Sequence, residues 1–256
     1  MLAVLSPAKA LDFESPAVAK VTPTAPQLFS DLQELVGVAK QLDAKALGAL
    51  MKLSPSLSKL NAARFAEFDA SSKKPAGSRP AAFAFDGDTY VGLRAREMDA
   101  ADVAFAQEHV WILSGLYGVL RPLDAILPYR LEMGSRLATA RGKSLYDFWG
   151  TKVALSLKQQ LAKLGSQTLV NLASTEYFSV VDRTALGASV LTPTFKEKKG
   201  KDLVIVSFAA KRARGSMARF IATQHIEDPL GLKDFSEDGY KFQKAGSTDS
   251  EWLFVR

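Results

Sequence analysis

The chain opens on a short apolar run, Met1–Leu5, which Ser6-Pro7 ends, the pattern of a buried strand feeding a loop. Leu28, Leu32, Leu35, Val36, Ala39 and Leu42 then fall at helical spacing and predict an amphipathic helix with one core-facing side. Asp43 is placed to cap a second helix through Met51. Ser54 starts a third, with Pro55 at the first helical position, where its missing N–H costs nothing. Ala81–Phe85 and Thr89–Leu93 flank Asp86-Gly87-Asp88, which reads as two strands and a tight turn. After a helix capped by Asp99, Val110–Leu113 is a continuous apolar run, as expected of a strand buried on both faces. Residues 145–164 read as helix, Thr168–Leu172 as another buried strand, and Lys198–Lys201 as a hairpin tip before a strand at Leu203–Phe208. A last helix is predicted from Ala210 to Ile226, ahead of a Gly-rich end that closes on Trp252–Arg256. This alternation argues for a mixed α/β (α+β) fold, a single domain over residues 1–256 with a mixed sheet covered by helices. Ser71–Pro80, SSKKPAGSRP, reads as its mobile loop.

Composition narrows the chemistry. With 256 residues and 47% hydrophobic content the chain can bury a sizeable core. It has no cysteine, which removes disulfides, thiolate nucleophiles and Cys-ligated metals. His109 and His225 have no ligand spacing around them and read as structural or surface residues. The N-terminus lacks the basic segment of a signal peptide, and no run reaches the roughly 18 apolar residues of a membrane span. A soluble, cytoplasmic protein without membrane partners is expected. Net charge is +6, and residues 196–219 hold eight Lys/Arg against two Asp/Glu, a surplus equal to that of the whole chain. The basic charge is therefore local, and a concentrated patch attracts phosphates better than a dispersed one.

Four segments are candidates for function. In AAKRARGSMARFIATQHI, Ala213, Met217, Phe220 and Ile221 gather on one side of a helix, and Lys211, Arg212, Arg214 and Arg219 spread over the other, either as a solvated face or as a phosphate site. Gly215 inside that helix costs about 1 kcal/mol against Ala, so something is expected to approach the backbone beside Arg214. Residues 43–69 read as an ordinary helical pair or a helix-hairpin-helix unit, in which Lys52, Ser54, Ser58, Lys59 and Arg64 would line a phosphate contact. The segment LSGLYGVLRPLDAILPYRLEMG, residues 113–134, follows a buried strand, where open sheets place ligand loops, yet it is neither GxxxxGK[ST] nor GxGxxG. Its Arg121, Asp124, Arg130 and Glu132 are costly to bury unless paired or used on a ligand. Finally, NLASTEY at 171–177 is a second strand end. If the two ends are neighbours, Tyr117, Glu132 and Glu176 face one crevice with Lys9, Lys211 and Arg214, giving carboxylates for acid–base work in a basic cleft. A capping serine and two ion-paired glutamates would satisfy the same residues.

The sequence resembles the YaaA family, bacterial peroxide-stress proteins. The resemblance is carried by SPAK at 6–9, LSPSLSKLNAARF at 53–65, AFAFDGDTYVGL at 82–93, the segment 113–134, LYDFWG at 145–150, NLASTEYF at 171–178, FAAKRARGSMARFI at 208–221 and DPLGLKDF at 228–235. It implies a family-specific compact fold with a basic cleft and a helix-hairpin-helix element, which here falls at residues 43–66. Leu53-Ser54-Pro55-Ser56 stands where such hairpins usually carry Gly-hydrophobic-Gly. It also implies a DNA-binding protein of the hydrogen peroxide response that limits the damage done by intracellular iron. DNA, duplex or distorted, would be held by its phosphates without sequence specificity, through Lys9, Lys52, Ser54, Ser58, Lys59, Arg64, Arg121, Arg130, Lys211, Arg212, Arg214 and Arg219. No cofactor and no metal of its own are expected, so the link to iron would be indirect, and a monomer is the expected form. The alternative is an enzyme acting on a nucleic acid, a nucleotide or a damaged base, with Tyr117, Glu132 and Glu176 as candidate catalytic residues.

Overall fold

A computed structural model describes residues 1–16 and 21–256. The apolar run at the start forms strand β1 (Leu2–Leu5), followed by the short β2 (Ala10–Leu11). The spaced leucines form α1 (Phe29–Ala39), and Asp43 and Ser54 cap α2 (Ala44–Met51) and α3 (Pro55–Ala66) by accepting the Ala46 and Leu57 amides. Next come β3 (Arg79–Pro80), α4 (Ala81–Ala84), β4 (Phe85–Asp86), α5 (Asp88–Leu93), α6 (Ala100–His109) and β5 (Val110–Ser114). The segment 113–134 supplies β6 (Gly118–Leu120) and β7 (Ala125–Ile126). The rest is α7 (Leu145–Trp149), α8 (Lys152–Lys163), β8 (Thr168–Leu172), α9 (Thr175–Phe178), α10 (Arg183–Leu186), β9 (Ser189–Lys199), β10 (Asp202–Val204), α11 (Ser207–Thr223), β11 (Lys241–Gln243) and β12 (Glu251–Val255).

The main sheet runs in the order β11-β12-β9-β8-β1-β5-β6, with β10 paired to β9 beside that row. β12, β9, β8, β1 and β5 are parallel neighbours, and the flanking β11, β6 and β10 are antiparallel. Every residue of β1 and β5 is buried, which requires cover on both faces and explains why neither strand shows polar alternation. Helices α6, α8 and α11 pack on this sheet. One apolar cluster joins β1, β5 and β8 to Ala213, Met217 and Ile221 of α11 and to Phe148 and Trp149 of α7.

Three sequence expectations are corrected. Residues 81–93 are two short helices, not two strands, and only β4 between them is extended, pairing with β2. Gly87 has φ 170°, an extended value, whereas a two-residue hairpin turn needs positive φ. The strand expected at Leu203–Phe208 ends at Val204, and α11 begins at Ser207, three residues before the expected start. Residues 145–164 form two helices, divided where Gly150 takes φ 48°. Most of β9 went unread because Pro193 stands in its middle, a residue that argues against a strand.

Helix α5 crosses α11 with backbone against backbone. A methyl group on Gly215 would lie 1.7 Å from the Thr89 carbonyl oxygen, and one on Gly92 would lie 2.1 Å from the Arg212 carbonyl oxygen. What approaches the backbone beside Arg214 is therefore α5 of the same chain. Gly215→Ala should cost about 3 kcal/mol or more through forced separation of the helices, read as a lowered urea midpoint. Gly37→Ala, in α1 with nothing within 4 Å, should be neutral or stabilising by up to about 1 kcal/mol.

Candidate functional site

Strands β1 and β8 lie side by side, but the chain leaves β1 toward the β5 side of the sheet and leaves β8 toward β9. Such a reversal opens a crevice outside the carboxyl ends of the two strands. Here it is a cleft of about 450 Å³ walled by Ser6–Ala10 after β1, Asp86–Thr89 at the start of α5, Leu172, Ser174, Glu176 and Tyr177 after β8, and Lys211 and Arg214 of α11. The two strand ends are tied together: the Ser174 amide donates to Ser6 Oγ at 2.8 Å, and Ser6 Oγ donates to Ser174 Oγ at 3.3 Å. The Tyr90 hydroxyl donates to the Ser6 carbonyl at 3.1 Å and anchors α5 to the same loop. Ser174 also caps α9, accepting from the Tyr177 amide.

Charge in the cleft is sorted by burial. Lys211 is exposed, and Arg214, one turn further along α11, is half-buried with no acidic partner among the described residues. Burial pulls its pKa below the ordinary arginine value, yet a guanidinium stays cationic throughout the neutral range. Asp86 and Asp88 face it from the α5 side, both exposed. At the other end, Glu132 Oε1 takes three cationic contacts, from Lys9 Nζ at 3.4 Å and from Arg130 Nε and Nη2 at 3.0 and 2.9 Å. Its Oε2 is buried and has no hydrogen-bond partner among the described residues. Glu176 is exposed and accepts from the Gly134 amide at 3.0 Å. Under the cleft, burial pushes the hydroxyls of Tyr90, Tyr129 and Tyr177 well up from the ordinary tyrosine value, so all three stay protonated.

The cleft thus gathers Lys9, Glu176, Lys211 and Arg214, with Arg130 and Glu132 joined to it through Lys9. Tyr117 lies elsewhere: it is buried, its hydroxyl accepts from the Leu127 amide at 3.0 Å, and its ring meets Tyr129 edge-on at 5.3 Å. Arg121 is bound to the fully buried Asp124 at 2.8 Å and to the Ala25 carbonyl, so it fixes the path of segment 113–134. Gly115 in the same segment passes so close to Leu131 that a methyl group would lie 2.2 Å from its carbonyl oxygen. On α11, Arg212 turns toward Asp238 at 3.4 Å, and Arg219 toward Glu97 at 3.5 Å and the Arg94 carbonyl. The helical pair α2–α3 is present, but none of its candidate residues lines the cleft. Ser54 caps α3, and Ser58 is buried with its hydroxyl donating to the Ser54 carbonyl. Lys52, at φ 54°, and Lys59 are exposed, whereas Arg64 is half-buried, its pKa lowered by burial. Sequence reasoning missed Ser6, Asp86 and Asp88; the signal was Asp-Gly-Asp, read as a turn. Among the described residues no three His, Asp or Glu side chains are grouped to hold a metal, and no helix is long and apolar enough to cross a membrane.

The family model described as "Peroxide stress protein YaaA" matches residues 1–246. The chain belongs to this family. Relatives catalogued as UPF0246 proteins align along its full length. That of Phenylobacterium zucineum is 55% identical over 256 residues, covering 100% of this chain and 95% of the relative. That of Idiomarina loihiensis is 48% identical, covering 100% and 98%. The family resemblance carried by the quoted motifs is thereby established for the whole chain.

One carboxylate outside the cleft, just after β2, is held well below its ordinary pKa. Asp12 accepts the Ser15 and Glu14 amides at 2.9 and 3.1 Å and faces Arg96 at 3.2 Å, and the Ser15 contacts above all hold its pKa at about 2. A depressed carboxylate stabilises the fold above its unfolded value of about 4. Asp12→Asn should therefore lower stability at neutral pH, and the gap to the parent protein should close between about pH 4 and 2 in denaturation curves recorded across that range.

Proposed function

We propose that this YaaA-family chain holds DNA, duplex or distorted, by its phosphates and without reading sequence, as its part in the peroxide-stress response, working as a cytoplasmic monomer. The observation that carries this reading is Arg214, a half-buried guanidinium on the wall of a cleft without an acidic partner among the described residues. A desolvated charge left unpaired is expensive, and a phosphate oxygen between Arg214 and Lys211 would relieve that cost with charge-assisted hydrogen bonds. Lys9 faces the same space from the β1 loop. Lys52 and Lys59 on the helical pair are exposed cations suited to a second backbone contact, of the kind that positions a protein on nucleic acid without specifying sequence. Any influence on iron is then exerted through the DNA.

Binding of labelled duplex measured by fluorescence anisotropy at several salt concentrations tests this. Lys211→Ala should weaken binding and reduce the log–log salt slope by about 0.9. Arg212→Ala and Arg219→Ala, which remove cations already paired with Asp238 and Glu97, should change it little. Unaltered binding by a folded Lys211→Ala/Arg214→Ala double variant would falsify the reading.

A second reading, chemistry on a bound nucleotide or damaged base, has one observation in its favour: the partnerless, buried Oε2 of Glu132 beside Lys9 and Arg130. A buried carboxylate oxygen left without a partner is suited to accept a hydrogen bond from a bound group. It predicts product from lesion-bearing oligonucleotides that is lost in Glu132→Gln while binding persists. Retained binding with no product from any lesion type eliminates it.

A further inference from the structure

We propose that Phe208 is a stacking platform for an unpaired base, so that the preferred nucleic acid is single-stranded or locally opened. The proposal rests on the phosphate-holding reading and adds the part of the nucleotide that the cleft itself does not address. Phe208 is 64% exposed, more than any other large hydrophobic side chain described. It is the second residue of α11, and the core face of that helix is already filled by Ala213, Met217 and Ile221. Its ring lies outside the core cluster and mostly in solvent.

The surroundings are those of a strand-binding surface. Phe208 borders a recess of about 180 Å³ together with Val91, Arg212 and Arg256, and Asp88 borders both this recess and the cleft. Lys211 stands at i+3 from Phe208, so the two side chains are neighbours on the helix surface. A base on the ring would leave its own phosphate beside Lys211 and Arg214. On the other side, Ile205 is 59% exposed and leads back to the β9–β10 hairpin, where Lys196, Lys198, Lys199 and Lys201 have no acidic partner among the described residues. Arg212 and Arg256 beside the ring are neutralised by Asp238 and Glu197. In chain order, cations without an acidic partner among the described residues thus stand before and after the aromatic. Such pairing of a basic groove with exposed aromatics is the recurring means of holding single strands.

Anisotropy with an oligothymidine of about 12 nucleotides, a site size in the range of single-strand binders, and with the matching duplex provides the test. A 2-aminopurine placed within the strand reports stacking through its quenching. Phe208→Ala should weaken single-strand binding by about 5- to 100-fold and abolish the quenching, with duplex affinity changed less than about twofold. Phe208→Trp should retain both signals, and Phe208→Leu, which keeps the apolar contact without the π-face, should behave as Phe208→Ala. Equal losses on single strand and duplex, or full binding by Phe208→Leu as expected of a surface for a protein partner, overturn the platform. A parent chain that binds neither nucleic acid removes the phosphate reading itself. A parent chain that binds both, with Phe208→Ala unchanged, removes only the platform.

Discussion

Where α5 crosses α11, two glycines bring backbone against backbone: Gly92 meets the backbone of Arg212 and Ser216, and Gly215 meets that of Thr89 and Leu93. The contact fixes the distance from Asp88 and Thr89 on one wall of the cleft to Lys211 and Arg214 on the other. Tyr90 then ties α5 to the loop after β1, and Ser6 ties that loop to Ser174 after β8. Three walls are held in series by one van der Waals contact and a few hydrogen bonds, so a shift at the crossing is passed to every wall. The geometry of the cleft is a property of the fold, set before any ligand arrives.

The four cations of α11 show how burial and pairing assign roles that composition leaves equal. All four lie within nine consecutive residues, yet Arg212 and Arg219 are satisfied by acidic groups on neighbouring elements, and of the four Lys211 and Arg214 face the cleft. Arg121, whose charge stands out in the segment 113–134, is spent on holding Asp124 in the interior. Arg130 shares its carboxylate with Lys9 and contributes to a small network at the cleft's edge. Net charge draws a polyanion toward a surface; the unpaired guanidinium decides where it would settle.

How much of this was legible in the sequence depended on the range of the interaction. The parallel core strands announced themselves as short apolar runs, because burial on both faces leaves a local mark. The caps Asp43, Ser54 and Asp99 did the same, since a cap acts on amides two or three residues away. Residues 81–93 did not: their alternation of apolar and small residues fits a strand, and only the distant Gly215 shows that α5 must be a helix thin enough to touch α11. Tyr117 and Glu132 belong to one motif, and sequence gave no reason to separate them. The chain sends one hydroxyl into the core against the Leu127 amide and the other side chain to Lys9. Lys9, Glu176 and Lys211 do meet in one cleft, but the two strand ends expected to be neighbours, those of β5 and β8, are separated by β1, and it is the end of β1 that lies beside β8.

The position of β1 in the sheet bears on how the protein is made. It is hydrogen-bonded to β5 and to β8, so its four apolar residues wait for partners more than a hundred residues further along the chain. Pairings this distant in sequence carry a large loop-closure cost and slow folding. At ribosomal rates β8 is completed on the order of ten seconds after β1. During that interval the apolar, uncharged segment of β1 lacks the partner on its β8 side, the kind of exposure that favours aggregation until the sheet closes.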